Sequence, residues 1–157
     1  MMGINPKLKV GDAAPDFSLE SDTHGQVSLS DMKGKKLVIY FYPKDMTPGC
    51  TRQACDFRDN HQKFEAAGYT ILGVSPDPIE RHAKFREKHD LNFILMADPE
   101  HEMAEAYGVW REKTNYGKKY IGLVRSTFMI DADGKIAEIQ DNVRATGHVD
   151  RLIRDSI

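Results

Sequence analysis

With 157 residues and 17.8 kDa, the chain can build one globular domain with its own core but not two ordinary ones. Lys plus Arg count 22 and Asp plus Glu 24, a net charge of -2, so no basic excess points to a nucleic-acid partner. The longest apolar run, Leu37 to Tyr42, is far shorter than a membrane span, and Met1 to Lys7 hold no apolar stretch of signal type, which makes a reducing cytoplasm the expected setting.

Residues 1–16 read as an irregular or extended lead-in. Phe17-Ser18-Leu19 and Val27-Ser28-Leu29 alternate around Asp22-Thr23-His24-Gly25, which predicts an N-terminal β-hairpin. Ser30 to Gly34 suits a short helical turn. Leu37 to Tyr42 reads as a strand buried on both faces and ended by Pro43. After a loop, Lys44 to Gly49, residues from about Cys50 to Ala67 fit one helix with Gly68 as its C′ residue. Ala54, Phe57, His61 and Phe64 lie along one face of it, where His61 reads as a packed or half-buried histidine rather than a base.

Thr70 to Ser75 is a second buried strand. Asp77-Pro78-Ile79-Glu80 supplies an N-cap, a proline at N1 and an acidic N3, so a helix runs to about His89. Phe93 to Met96 is a third strand. Asp98-Pro99-Glu100 repeats the capping device for a short helix ending near Gly108. Arg125 to Asp131 and Lys135 to Gln140 flank Ala132-Asp133-Gly134, a hairpin signal. A last helix spans roughly Gly147 to Asp155. The order predicts an α/β unit over residues 1–157, with helices on both faces of a central β-sheet.

The segment Tyr42-Pro43-Lys44-Asp45-Met46-Thr47-Pro48-Gly49-Cys50 carries the chemistry. A tight loop from a buried strand delivers Cys50 to the first turn of a helix. Unpaired N–H groups and the positive end of the helix dipole meet there, and a thiol in such a place ionises more readily than a free one. Gly49 leaves the approach to the sulfur open. The end of a strand is also where open α/β sheets place ligands. No metal-ligand spacing, iron–sulfur motif or phosphate loop occurs, so neither metal nor cofactor is expected.

Pro43-x-x-x-Thr47-x-x-Cys50 resembles the active-site signature of peroxiredoxins. With Cys55 five residues on, the chain is similar to the PrxQ, or bacterioferritin comigratory protein, type. Further matching stretches are Gly11-Asp12-Ala13-Ala14-Pro15-Asp16-Phe17, Tyr107-Gly108-Val109-Trp110, Gly117-Lys118-Lys119-Tyr120 and Arg125-Ser126-Thr127-Phe128. The resemblance implies a thioredoxin-like fold with a mixed sheet, and a thiol peroxidase acting on hydrogen peroxide and organic hydroperoxides.

It also implies roles. Cys50 is the peroxidatic nucleophile. Thr47 orients the peroxide through its hydroxyl. Arg125 stabilises the thiolate and the charge moving onto the leaving oxygen. Pro43 shields the oxidised sulfur, and the N–H groups of Gly49 and Cys50 are further donors. Cys55 matches the resolving position, with thioredoxin or a similar dithiol as reductant; were Cys55 inert, an external thiol would resolve the sulfenic acid. Residues five apart on an ideal helix have Cα atoms ~8.6 Å apart, against the ~7 Å a disulfide tolerates, so pairing requires the helix to unwind locally. No C-terminal cysteine reaches across a dimer, which favours a monomer. Two other functions fit a cysteine pair. A thioredoxin-type disulfide oxidoreductase normally uses C-x-x-C rather than C-x₄-C. A redox-sensing or holdase protein would use the unwinding as its switch.

Overall fold

The computed structural model describes residues 8–157, so residues 1–7 of the expected lead-in lie outside it. A hairpin of β1 (Ser18–Glu20) and β2 (Gln26–Ser28) leads through a 3-10 turn, Leu29–Met32, into β3 (Lys36–Phe41). Then come α1 (Pro48–Asp59), α2 (His61–Ala66), β4 (Tyr69–Ser75), α3 (Ile79–His89), β5 (Ile94–Ala97) and α4 (Glu102–Ala106). The chain closes with β6 (Trp110–Asn115), β7 (Lys118–Leu123), β8 (Ser126–Ile130), β9 (Ile136–Gln140) and α5 (His148–Ser156).

The central sheet has the order β5-β4-β3-β8-β9. Strands β3, β4 and β5 are parallel, while β8 and β9 run antiparallel, so the sheet is mixed. Leu37 to Phe41 of the central strand are each at most 1% exposed, which explains their unbroken apolar run. Leu37, Ile39 and Phe41 face one core, with Met103 and Ala104 of α4 and with Phe17 and Val27. Val38 and Tyr40 face the other, with Phe57, Phe64, Phe85 and Leu152 of α1, α2, α3 and α5. Helices therefore cover both faces, unequally.

The expected helix over 50–67 and both expected aspartate caps need correction, and two strands went unread. The single helix over 50–67 is two. It breaks at Asn60 (φ -109°, ψ 12°), whose side-chain amide donates to the Asp56 carbonyl at 2.8 Å and ends α1 in place of a continuing turn. Asp77 does not cap α3: Pro78 is the N-cap, and the Asp77 carboxylate turns inward to accept from the Asp45 N–H and the Ser75 hydroxyl, both at 2.7 Å. The strands β6 and β7 are absent from the sequence reading. They form a two-stranded ribbon around Tyr116 and Gly117, both at positive φ, and Arg111 to Lys113 alternate charge rather than hydrophobicity. Asp98 does serve α4, accepting from the Ala104 N–H at 2.9 Å, although the N-cap itself is His101.

The N-terminal hairpin is fastened to the edge of β5. Arg86 donates to both carboxylate oxygens of Asp22 and to the Leu91 and Phe93 carbonyls, while the Asp22 N–H donates to the Leu95 carbonyl at 3.1 Å. The Asp22 side chain is 1% exposed, so losing its cation leaves a buried charge unpaired. Arg86→Met is expected to lower the unfolding free energy by about 3 kcal/mol, read from urea titration; a loss below about 1 kcal/mol would mean that the pair contributes no more than a surface one.

Candidate active site

The sheet topology sends every candidate residue to one edge. β3 ends there and its loop enters α1. β8 runs the opposite way, and Phe41 pairs with Ser126, so Arg125 lies level with the residue that follows β3. β9 pairs Gln140 with Thr127, which delivers residues 141–147 to the same edge.

Cys50 is the third residue of α1 and 1% exposed. Pro48 opens the helix, where a missing N–H costs nothing. The Thr51 N–H makes the first bond back, to the Thr47 carbonyl at 2.9 Å, so the N–H groups of Gly49 and Cys50 precede the helical ladder. Arg125 donates from Nη2 to the Cys50 Sγ at 3.2 Å and from Nη1 to the Gln53 Oε1. One guanidinium thus bridges the sulfur and the next helical turn and supplies the countercharge for a thiolate. At Gly49 a Cβ would lie 3.4 Å from that Nη2 and 3.6 Å from the Ala145 Cβ, so the backbone stays close to the cation.

The other expected residues are arranged less directly. Thr47 is the N-cap by backbone, but its hydroxyl donates to the Lys44 carbonyl at 2.9 Å and keeps its lone pairs for an incoming donor. Pro43 is half-buried where the chain leaves β3. Cys55 is half-buried, unbonded and on the same unbroken helix as Cys50, so the two thiols are not apposed. Between them lie Thr51, Arg52, Gln53 and Ala54, with no large apolar side chain, whereas Phe57 beyond is fully buried. Unwinding this stretch costs little apolar burial compared with releasing an aromatic anchor. Trp110 is half-buried and stacks on His101 at 3.6 Å between ring centroids.

Sequence reasoning missed four buried residues near this edge. Gln53 follows Cys50 by one helical turn, a spacing that flags it as a neighbour on the same face. Asp45, in the loop itself, accepts from the Tyr42 hydroxyl and pairs with His82 of α3, each at 2.6 Å. His82 Nε2 donates to the Met96 carbonyl at 2.9 Å. No local signal links residues 37 apart. His148 opens α5 and is 1% exposed, with Nε2 at 2.9 Å from the Thr127 hydroxyl.

Among the described residues, Asp45, Asp77 and His82 bring three potential metal-ligand atoms together. Hydrogen bonds already engage them, to Tyr42, Ser75, Met96 and one another, so they form a network rather than an open ligand set.

Burial pushes His148 down to about 4, aided by the cations Arg151 and Arg125. As pH falls from 6.5 to 4, the unfolded chain takes up a proton there that the folded chain refuses. Stability from this group is full above 6.5 and lost through that window, by about 3 kcal/mol. Between pH 6.5 and 4, His148→Gln is expected to lose that much less stability in urea titrations than the parent chain; equal losses would show that the histidine is not held neutral.

A family model described as the AhpC/TSA family matches residues 10–139. Peroxiredoxin Bcp of Bacillus subtilis is 52% identical over 142 residues, covering 90% of each chain. Peroxiredoxin Bcp of Escherichia coli is 48% identical over 150 residues, covering 96% of each. Among solved structures, the bacterioferritin comigratory protein of Xanthomonas campestris, described for its alkyl peroxide reduction activity, superposes with a TM-score of 0.85 at 37% identity over 94% of both chains. A PrxQ mutant of Xylella fastidiosa reaches 0.87 at 33% identity over 94% of both. These likenesses and the Cys50–Arg125 pair at the sheet edge lead to one conclusion: the chain belongs to the AhpC/TSA family and, within it, is a thiol peroxidase of the peroxiredoxin type.

Proposed function

We propose that the chain reduces hydrogen peroxide and organic hydroperoxides through Cys50, resolves the product through Cys55, and is recycled by thioredoxin or a similar dithiol. The observation that carries this reading is the Arg125 Nη2 contact to the Cys50 sulfur at 3.2 Å, at the first turn of α1. The Cys50 thiolate attacks one peroxide oxygen, the O–O bond breaks, and the departing alkoxide or hydroxide takes a proton. Arg125 and the N–H groups of Gly49 and Cys50 face the oxygen pair, and Thr47 accepts from the peroxide. Pro43 keeps water from the sulfenic acid. The Cys55 thiolate then attacks that sulfur, the S–O bond breaks, the departing hydroxide takes a proton to become water, and an intrachain disulfide forms once the 50–55 stretch unwinds. Exchange with a dithiol restores both thiols.

The same reading has residues 1–157 acting as one peroxiredoxin domain, a monomer in the cytoplasm. In its favour, the two core clusters share one sheet, and no helix among the described residues is long and apolar enough to cross a membrane.

The test is peroxide consumption coupled to thioredoxin, thioredoxin reductase and NADPH, with disulfide mapping by mass spectrometry. The parent chain is expected to turn over and to trap a Cys50–Cys55 disulfide. Cys55→Ser is expected to form one sulfenic acid per chain and then stall. Undiminished turnover by Cys55→Ser would overturn the resolving role. In hydrogen exchange, the oxidised chain is expected to lose protection at residues 50–56 while β3 and β4 keep theirs.

A further inference from the structure

The loop that delivers Thr47 and Cys50 is held from inside the protein by a group on a distant helix. His82 is fully buried, and both of its ring nitrogens face acceptors: the Met96 carbonyl at 2.9 Å and the Asp45 carboxylate at 2.6 Å. A carbonyl only accepts, so Nε2 carries a hydrogen, and the second proton lies on the Nδ1-to-carboxylate line. The Tyr42 hydroxyl donates to the other Asp45 oxygen at 2.6 Å, so both carboxylate oxygens are engaged. The Asp45 N–H is taken by Asp77, whose carboxylate lies 3.4 Å from Arg81. Burial pulls His82 toward its neutral form, but the hydrogen bond and charge of Asp45, the Met96 carbonyl and the Asp77 charge together raise it above its ordinary value. Next in the loop, Met46 has φ 67°, a turn the surrounding contacts must hold.

We propose that His82 and Asp45 are positioning residues for the peroxide step: their buried pair anchors residues 44–49 and returns Thr47 and Cys50 to reactive geometry each time the first turns of α1 refold. This rests on Cys50 being the peroxidatic thiol. The anchor lies on the N-terminal side of Cys50, whereas the stretch that must open lies on its C-terminal side. Oxidation of Cys50 therefore depends on the pair, while closure of the disulfide does not.

The prediction is a split between two rates. In Asp45→Ala/His82→Phe, which removes both partners and leaves no buried charge unpaired, the second-order rate of Cys50 oxidation by hydrogen peroxide is expected to fall 10- to 100-fold. The first-order rate of Cys50–Cys55 closure should stay within about 3-fold of the parent or rise. Asp45→Asn keeps the skeleton and can donate from its amide to a neutral His82 Nδ1, so it is expected to hold oxidation within about 3-fold of the parent.

His82→Gln, which reaches only one of the two acceptors, carries the same test if the double variant does not fold, with an expected fall of about 10-fold. Oxidation unchanged in a folded double variant, or both rates falling together, would overturn the proposal. So would a loss in Asp45→Asn as large as in the double variant. Failure of the parent chain itself to oxidise at Cys50 would instead overturn the peroxidatic assignment, so the two failures are distinguishable.

Discussion

Cys50→Ser is expected to consume no peroxide above the uncatalysed rate, while folding like the parent chain. Serine matches cysteine closely in shape, and its hydroxyl can accept the Arg125 donor that now reaches the sulfur at 3.2 Å. The stability change should stay within about 1 kcal/mol. Chemistry is lost for two reasons. An alcohol does not ionise near neutral pH even beside a cation, and its oxygen cannot take the place of sulfur as the atom that is oxidised. Peroxide decay followed directly, with an unfolding curve on the same sample, separates lost chemistry from lost structure. A variant retaining a tenth of the parent rate would show that the nucleophile lies elsewhere.

Arg125→Met is expected to slow Cys50 oxidation by about 10²- to 10³-fold, the usual cost of losing a preorganised donor where charge develops. Methionine replaces most of the side-chain volume. What remains unpaired is the Gln53 carbonyl oxygen, in a residue that is fully buried and whose amide nitrogen already lacks a partner. Stability should therefore fall by about 1–3 kcal/mol, too little to unfold most chains. Arg125→Lys separates charge from geometry: a single ammonium cannot span the sulfur and Gln53 as the two guanidinium nitrogens do, so an intermediate rate is expected. Stopped-flow oxidation of the reduced variants measures both. A loss smaller than about 5-fold in Arg125→Met would remove the guanidinium from the reaction and leave it a structural tie.

Of those two residues, local signals in the sequence mark Cys50, whereas Arg125 stands out only through the resemblance to peroxiredoxins. Tyr42 to Cys50 combine an apolar strand, a proline stop and a helix start, while Arg125, placed before an apolar strand, reads by itself as readily as a surface charge. Neither signal says that the two groups meet. That follows from the pairing of β3 with β8, which a pattern read residue by residue does not contain. Elements with a buried face were legible for the same reason: β3, β4, β5 and β8 bury nearly every residue, and hydrophobic runs mark them.

The β6–β7 ribbon has no such mark. Its outer strand exposes Lys118 to Ile121, and Gly117 only hints at the turn. The polar network behind Cys50 was invisible for a different reason. Asp45, Asp77 and His82 are ordinary surface residue types, and Asp77-Pro78 is a good capping sequence. The partner that captures Asp77 is a backbone N–H 32 residues earlier. Tertiary competition for one carboxylate, not weak propensity, decides its role.

The register of β8 against β3 also has a consequence for the order in which the protein is made. Synthesis delivers the N-terminal parts first, so Cys50 emerges 75 residues ahead of the guanidinium that bonds it. Until β8 has been made and has paired, the nascent polypeptide carries a plain thiol without its cation. Under the proposed function, the cation reaches the sulfur only once β8 has docked against β3. A truncated or stalled product lacks the guanidinium contact to Cys50, and under the proposed function the molecule gains its sensitivity to peroxide when β8 joins the sheet, before β9 closes its edge.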